Sequence, residues 1–253
     1  MPTALITGAS AGLGAEFARQ LATRGSDLVL VARSRDDLDA VAAPLRERYG
    51  VVVEVLPADL SVPRELARVE RRLANAGRPV DLLVNNAGFG LPLQFADNDI
   101  ADEVRHLRVH VEASMRLMHA ALGVMRGRGG RIVNVASVAG FISRSTYSAC
   151  KGWLIGFSRW ANAEYAEDRV SVTAVCPGFT HTSFHERMGL APGHEGVPRA
   201  MWLDARDVVR EGLRDAARGR AVSIPSLRYK AIVALTRVLP ASVTARVARR
   251  GRV

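Results

Sequence analysis

The chain has 253 residues, 48% of them hydrophobic, with a mean hydropathy of +0.05 and a formal net charge of +10. That is enough to bury one sizeable core and suits one soluble α/β domain. Two cysteines, Cys150 and Cys176, at no metal or redox spacing exclude a disulfide framework, and no apolar run approaches a membrane span.

Met1-Pro2 leads straight into the apolar run Ala4-Leu5-Ile6, without the basic start of a signal peptide, so the cytoplasm is the expected address. Of the 35 basic residues 33 are arginine; the two lysines are Lys151 and Lys230. After Asp215 there is no acidic residue and there are nine basic ones, so residues 1–215 carry only +1 of the charge.

In chain order, apolar runs at 3–7, 27–32, 51–56, 80–85, 131–136, 170–176 and 221–224 predict strands. Most are continuous rather than alternating, as parallel strands buried on both faces require. Between them the pattern predicts helices near 12–24, 35–49, 62–76, 99–126, 146–167 and 204–218. This alternation implies an α/β fold: one Rossmann-type, doubly wound parallel sheet of about seven strands with helices on both faces. Residues 1–253 read as one domain. Ligands of such sheets bind outside the carboxyl ends of the strands, so residues just after each strand matter most.

The first strand runs into Thr7-Gly8-Ala9-Ser10-Ala11-Gly12-Leu13-Gly14 as a helix begins. Glycines there permit a tight turn and let backbone approach a pyrophosphate, which the helix N-terminus attracts. The second strand ends Val31-Ala32-Arg33-Ser34-Arg35. An acidic residue at this point would bond ribose hydroxyls, whereas Arg33 suits a 2′-phosphate and therefore NADP(H). Further on, Tyr147 and Lys151 share a helix face at i and i+4. A nearby ammonium favours phenolate, lowering a tyrosine pKa from about 10 toward a usable acid and base.

Together these motifs resemble the short-chain dehydrogenase/reductase family over about residues 3–225. The residues that carry the likeness are Thr7-Gly8-x-x-x-Gly12-x-Gly14, Asp59-Leu60, Asn85-Asn86-Ala87-Gly88, Ser137, Tyr147-x-x-x-Lys151 and Pro177-Gly178-x-x-x-Thr182. The resemblance implies that Gly8, Ser10, Gly12, Leu13, Gly14 and Arg33 meet the cofactor. It also implies that Asp59 and Leu60 meet adenine, and that Asn86, Ala87 and Gly88 line the adenosine side. Pro177, Gly178 and Thr182 would hold the nicotinamide carboxamide. Tyr147 would exchange the proton, Lys151 would lower its pKa and bond the nicotinamide ribose, and Ser137 would bond the substrate oxygen.

Two features depart from the family pattern. The Ser137–Tyr147 gap is a few residues short, so Ser143 and Ser145 are rival hydroxyls. The place of the relay asparagine is taken by His110, which either holds a water in the relay, making it pH-sensitive, or is packing. His106 and His119 are expected to pack or face solvent. His181 and His185 have i, i+4 spacing without an evident third ligand, so no metal site is expected.

Residues 183–203 combine breakers with Phe184, Met188, Leu190, Met201 and Trp202, which suggests a lid over an apolar site. Phe89, Leu91, Leu93, Phe95 and Phe141 would add to its lining. The basic tail, 226–253, reads as a helix over 229–239, then Pro240 and a second helical run over 242–250. It is a solvated cap or a weak contact with a membrane surface or an acidic carrier protein. No nucleic-acid recognition motif accompanies the charge. The reading is an NADP(H)-dependent oxidoreductase interconverting an apolar carbonyl and a secondary alcohol, expected as a homodimer or homotetramer by resemblance. Its alternatives are a 3-oxoacyl reductase of carrier-bound chains and a low-turnover dinucleotide-binding sensor or scaffold.

Overall fold

The apolar runs form seven strands: β1 (Thr3–Thr7), β2 (Asp27–Ala32), β3 (Val53–Pro57), β4 (Leu82–Asn85), β5 (Gly130–Val135), β6 (Val170–Val175) and β7 (Val222–Ser223). They make one sheet in the order β3-β2-β1-β4-β5-β6-β7, and every pair is parallel. The computed structural model describes residues 1–91, 95–142, 144–182 and 198–238.

Among the described residues eight α-helices accompany the sheet: α1 (Gly12–Ala22), α2 (Arg35–Tyr49), α3 (Pro63–Leu73), α4 (Ile100–Leu107), α5 (Ser114–Met125), α6 (Thr146–Glu164), α7 (Ala205–Ala217) and α8 (Leu227–Val238). Successive strand residues point to opposite faces, so β1 sends Leu5 into one core and Ala4 and Ile6 into the other. The first core packs under α3, α5 and α6, through Leu66, Leu117 and Leu154. The second packs under α1, α2 and α7, through Phe17, Leu38 and Leu213. Both faces are covered, which is why β2 reads Leu-Val-Leu-Val without a polar residue.

Helix boundaries follow local chemistry. Helix α2 begins where the Ser34 hydroxyl accepts from the Asp37 amide, and it stops at Gly50, whose φ is 65°. The largest departure from expectation lies between β4 and β5. The helix predicted over 99–126 is interrupted by a π-helical segment, Arg108–Ala113, between α4 and α5. Its wider turn alters the face that His106 and His110 present, which a regular helical pattern cannot foresee.

Strand and helix ends otherwise shift by a few residues, and the predicted strand 221–224 shortens to two. Helix α8 opens within the predicted basic tail. The second helical run, 242–250, and most of the proposed lid, 183–197, lie outside the described residues. Among the described residues no helix is long and apolar enough to cross a membrane.

Candidate active site

The carboxyl ends of β1, β4, β5 and β6 bring most of the singled-out residues together. At β1, the Thr7 hydroxyl accepts from the amides of Asn86 (2.9 Å) and Ala87 (3.0 Å), while the Asn86 side-chain amide donates to the carbonyls of Thr7 (2.9 Å) and Gly8 (3.1 Å). The turn is therefore locked to the end of β4. Gly8 and Gly12 take φ of 63° and 55°, the left-handed region that glycine enters freely. A Cβ on Gly14 would fall 2.1 Å from the Gly8 carbonyl oxygen. Ala11, at the N-cap of α1, offers no side-chain acceptor, so the helix opens with amides left for another partner.

Arg33, just past β2, is exposed, and its charge helps hold the Asp59 carboxyl below the usual range. Burial opposes that lowering; hydrogen bonds from Ser61 and the Arg105 charge drive it. Asp59 Oδ1 accepts from the Ser61 amide (2.9 Å) and hydroxyl (2.6 Å), and Arg105 Nη2 lies 3.3 Å from Oδ2. Arg105, on α4, also sits 5.6 Å over the Phe89 ring. The sequence reading did not single it out, because nothing local links it to Asp59 across 46 residues. Leu60 is buried in the core beside Asp59.

Past β4, His110 crowds the Asn86-Ala87-Gly88 turn: a Cβ on Gly88 would lie 2.5 Å from its Cε1. His110 Nε2 lies 2.8 Å from the Phe89 carbonyl oxygen and 3.1 Å from its amide nitrogen, and protonated there it donates to the former. His106 lies beside it, ring centroids 4.2 Å apart and tilted by 36°, and both are buried. The two rings stand 6.1 Å and 5.6 Å from Tyr147. Burial first, then the Lys151 charge, pushes His106 down to about 4 and His110 well below its ordinary value. His106 was missed as a site residue, although its i, i+4 spacing to His110 was visible. His119 is exposed.

Ser137, Tyr147 and Lys151 meet where β5 ends and α6 begins. The Ser137 hydroxyl accepts from the Ala139 amide at 3.1 Å, opening a 3-10 turn, Val138–Phe141. The short Ser137–Tyr147 gap closes because Gly140 lies against the α6 backbone; a Cβ there would come 2.7 Å from the Lys151 carbonyl carbon. Of the rival hydroxyls, Ser145 caps α6 by accepting from the Ser148 amide, and Ser143 lies outside the described residues.

The tyrosine pKa moves opposite to the expected direction. Burial pushes Tyr147 up to about 12, with a Ser137 hydrogen bond pulling the other way. Lys151 Nζ lies 5.5 Å from the Tyr147 ring centroid and donates to the Val135 carbonyl at 2.7 Å. Its own pKa falls to about 8, because burial disfavours the ammonium.

Past β6, Pro177-Gly178 leads to Thr182, whose Cβ would lie 3.3 Å from a Cβ on Gly12. Phe179 and Trp202 rings stand 5.7 Å apart, and His181 stacks on Trp202 at 4.8 Å. His185, Phe184, Met188, Leu190 and Leu93 lie outside the described residues, and Phe95 is 57% exposed.

A profile of the short chain dehydrogenase family matches residues 2–191. The chain belongs to the short-chain dehydrogenase/reductase family. It is similar to the D-beta-hydroxybutyrate dehydrogenase of Rhizobium meliloti (strain 1021), 32% identical over 190 residues that cover 73% of this chain and 74% of that one. Among solved structures, a short-chain dehydrogenase from Sphingobium yanoikuyae in complex with NADPH superposes with a TM-score of 0.85. It is 36% identical and the match covers 94% of each chain. A bulky-bulky ketone specific alcohol dehydrogenase from Comamonas testosteroni gives a TM-score of 0.80 at 32% identity, over 95% of each chain.

Family membership makes the chain an oxidoreductase that uses a nicotinamide dinucleotide. The turn after β1 fits such a group: it has left-handed glycines, no Cβ at its closest backbone approach, and uncapped amides at the start of α1.

Proposed function

We propose that this chain is an NADP(H)-dependent oxidoreductase that interconverts a carbonyl and a secondary alcohol on an apolar small molecule. The observation that carries the reading is the meeting of Ser137, Tyr147 and Lys151 at the end of β5, beside the glycine turn of β1. The dinucleotide, when bound, supplies or accepts the hydride. Gly8, Ser10, Gly12, Leu13 and Gly14 would hold its phosphates, and Pro177, Gly178 and Thr182 its nicotinamide end.

Tyr147, with a pKa near 12, is protonated at neutral pH, the form that reduction requires. It gives its proton to the carbonyl oxygen, while the Ser137 hydroxyl donates to that oxygen as negative charge develops. Lys151, near 8, is still an ammonium at pH 7 and stabilises the tyrosinate that the transfer leaves behind. His110 holds the Gly88-Phe89 turn through Nε2, so only Nδ1 is left to take part in a relay.

Arg33 at the end of β2, where an acidic residue would favour unphosphorylated ribose, supports NADP(H). The NADPH complex of the Sphingobium relative points the same way. Phe89, beside His106 and His110, and the Phe179–Trp202 pair past β6 would give the site an aromatic wall, and the bulky-ketone specificity named for the Comamonas relative accords with it.

The test is titration with NADPH and NADH, followed by turnover of a panel of apolar ketones. Tight NADPH binding, with turnover that falls about 10³-fold in Tyr147→Phe, is the expected result. Preference for NADH would overturn the role of Arg33. Binding without turnover of any ketone would favour a sensor or scaffold.

A further inference from the structure

The turn after β6 is held from outside the family-matched part of the chain. The family profile ends at residue 191, yet the group that fixes Pro177-Gly178-Phe179 is the side chain of Tyr229, on α8. Its hydroxyl accepts from the Phe179 amide at 3.1 Å and donates to the Met201 carbonyl at 2.8 Å. Its ring lies flush on Gly178: a Cβ there would come 1.9 Å from the ring carbon that carries the hydroxyl. Tyr229 is 3% exposed, so neither bond is shared freely with bulk water.

The neighbours of Tyr229 aim it. Arg228 donates to the Ala200 carbonyl, and Lys230 pairs with Glu211 on α7 at 2.7 Å. Three consecutive residues thus pin the first turn of α8 to the 199–201 turn, to the β6 loop and to α7. The approach also costs strain: Ser226, just before α8, is held at φ 113°, which side-chain-bearing residues rarely adopt. Such strain persists where surrounding contacts over-determine the backbone, and it gathers at functional sites.

We infer that Tyr229 is a positioning residue for the nicotinamide end of the cofactor site, acting through the Gly178-Phe179 backbone and coupling it to Met201 at the substrate side. The inference rests on the NADP(H) reading above. Tyr229 touches neither cofactor nor substrate. It fixes one amide direction and one loop plane, and through Met201 it ties cofactor alignment to the segment that carries Trp202.

The test compares two ligands that share the adenosine end: NADPH, and 2′-phospho-ADP-ribose, which lacks the nicotinamide. Tyr229→Phe keeps the ring on Gly178 and removes the hydroxyl. It is expected to weaken NADPH about 5–10-fold, the scale of a lost hydrogen bond, and to leave 2′-phospho-ADP-ribose within about twofold. In turnover, KM for NADPH should rise and kcat fall together.

Unchanged NADPH affinity, or an equal loss for both ligands, would overturn the inference, as would a lower melting temperature with an unchanged affinity ratio. If Tyr229→Phe does not fold, hydrogen exchange at the Phe179 amide of the wild-type protein carries the test. NADPH should slow it and 2′-phospho-ADP-ribose should not; equal slowing by both would sink the idea. Wild-type protein that binds neither ligand would remove the NADP(H) reading and this inference with it.

Discussion

The turns after β1 and β6 both end at the same edge of the sheet, yet they are built by opposite means. After β1 the obstacle is backbone: a Cβ on Gly14 would fall 2.1 Å from the Gly8 carbonyl oxygen, and a Cβ on Gly8 would meet the Ala87 Cα at 2.9 Å. After β6 the obstacle is a side chain 51 residues further on, the Tyr229 ring over Gly178. A backbone obstacle cannot move without dismantling the strand end that carries it, whereas a side chain can be shortened. The first turn thus leaves no room for a methyl at Gly14, whereas the second can be tuned by a distant substitution.

The largest effect expected from that difference belongs to Gly14→Ala. The added methyl has no room, since Asn86 Nδ2 also lies 2.6 Å away, and the variant should lose about 3–5 kcal/mol or fail to fold. Chemical denaturation measures it, and no substitution at Asn86 should restore the protein while Gly8 stands in the way.

Gly178→Ala should weaken NADPH binding on the order of 100-fold by driving the Tyr229 ring off the turn. Here a second change can help: Gly178→Ala combined with Tyr229→Leu should bind better than Gly178→Ala alone, a non-additive pair in a double-mutant cycle. Strict additivity in that cycle would erase the contrast between the two turns.

The smallest effect concerns the turn after β4, which resembles the β6 turn in being held by a side chain, His110, with His106 behind it. His106 has a folded pKa of about 4 against an ordinary 6.5, so between those values the unfolded chain takes up a proton that the folded chain refuses. The stability due to the neutral ring is complete above pH 6.5 and drains as pH falls toward 4. From pH 7 to pH 5 it should amount to about 2 kcal/mol, or roughly 4–8 °C in Tm. Lys151, Tyr147 and Cys150 on α6 and Glu103 on α4 face this pair and set its environment. A His106→Gln variant should lose that much less Tm over the same interval; an identical loss in both proteins would clear His106 of the effect.

What could be read from the sequence divides along the same line. The strand runs, the glycine turn and the Ser137, Tyr147 and Lys151 set are legible because each is a short-range pattern: a period, a spacing, or a residue following a strand. The π-helical segment was not legible, because an apolar pattern compatible with one long helix does not reveal a single widened turn. Arg105 escaped for another reason. Its partner Asp59, 46 residues away, is brought near only by the fold, and an arginine-rich chain gives no hint of which guanidinium that is.

The two lysines make the same point. Lys151 stands out because a tyrosine precedes it by four residues, whereas Lys230 gains meaning only from Glu211, 2.7 Å away. The reversal at Tyr147 is of this kind as well. The sequence supplies the neighbouring cation, but whether burial or charge governs the phenol depends on how much water the fold removes. Here burial prevails and the pKa rises to about 12. By itself the sequence determined the family, the succession of strands and helices along the chain and the candidate set Ser137, Tyr147 and Lys151, since these rest on local backbone preferences and fixed spacings. Only the tertiary structure decided the direction of the pKa shifts at Tyr147 and Lys151 and the brace that Tyr229 places on the β6 turn, since desolvation and contacts between distant residues exist only once the chain has packed.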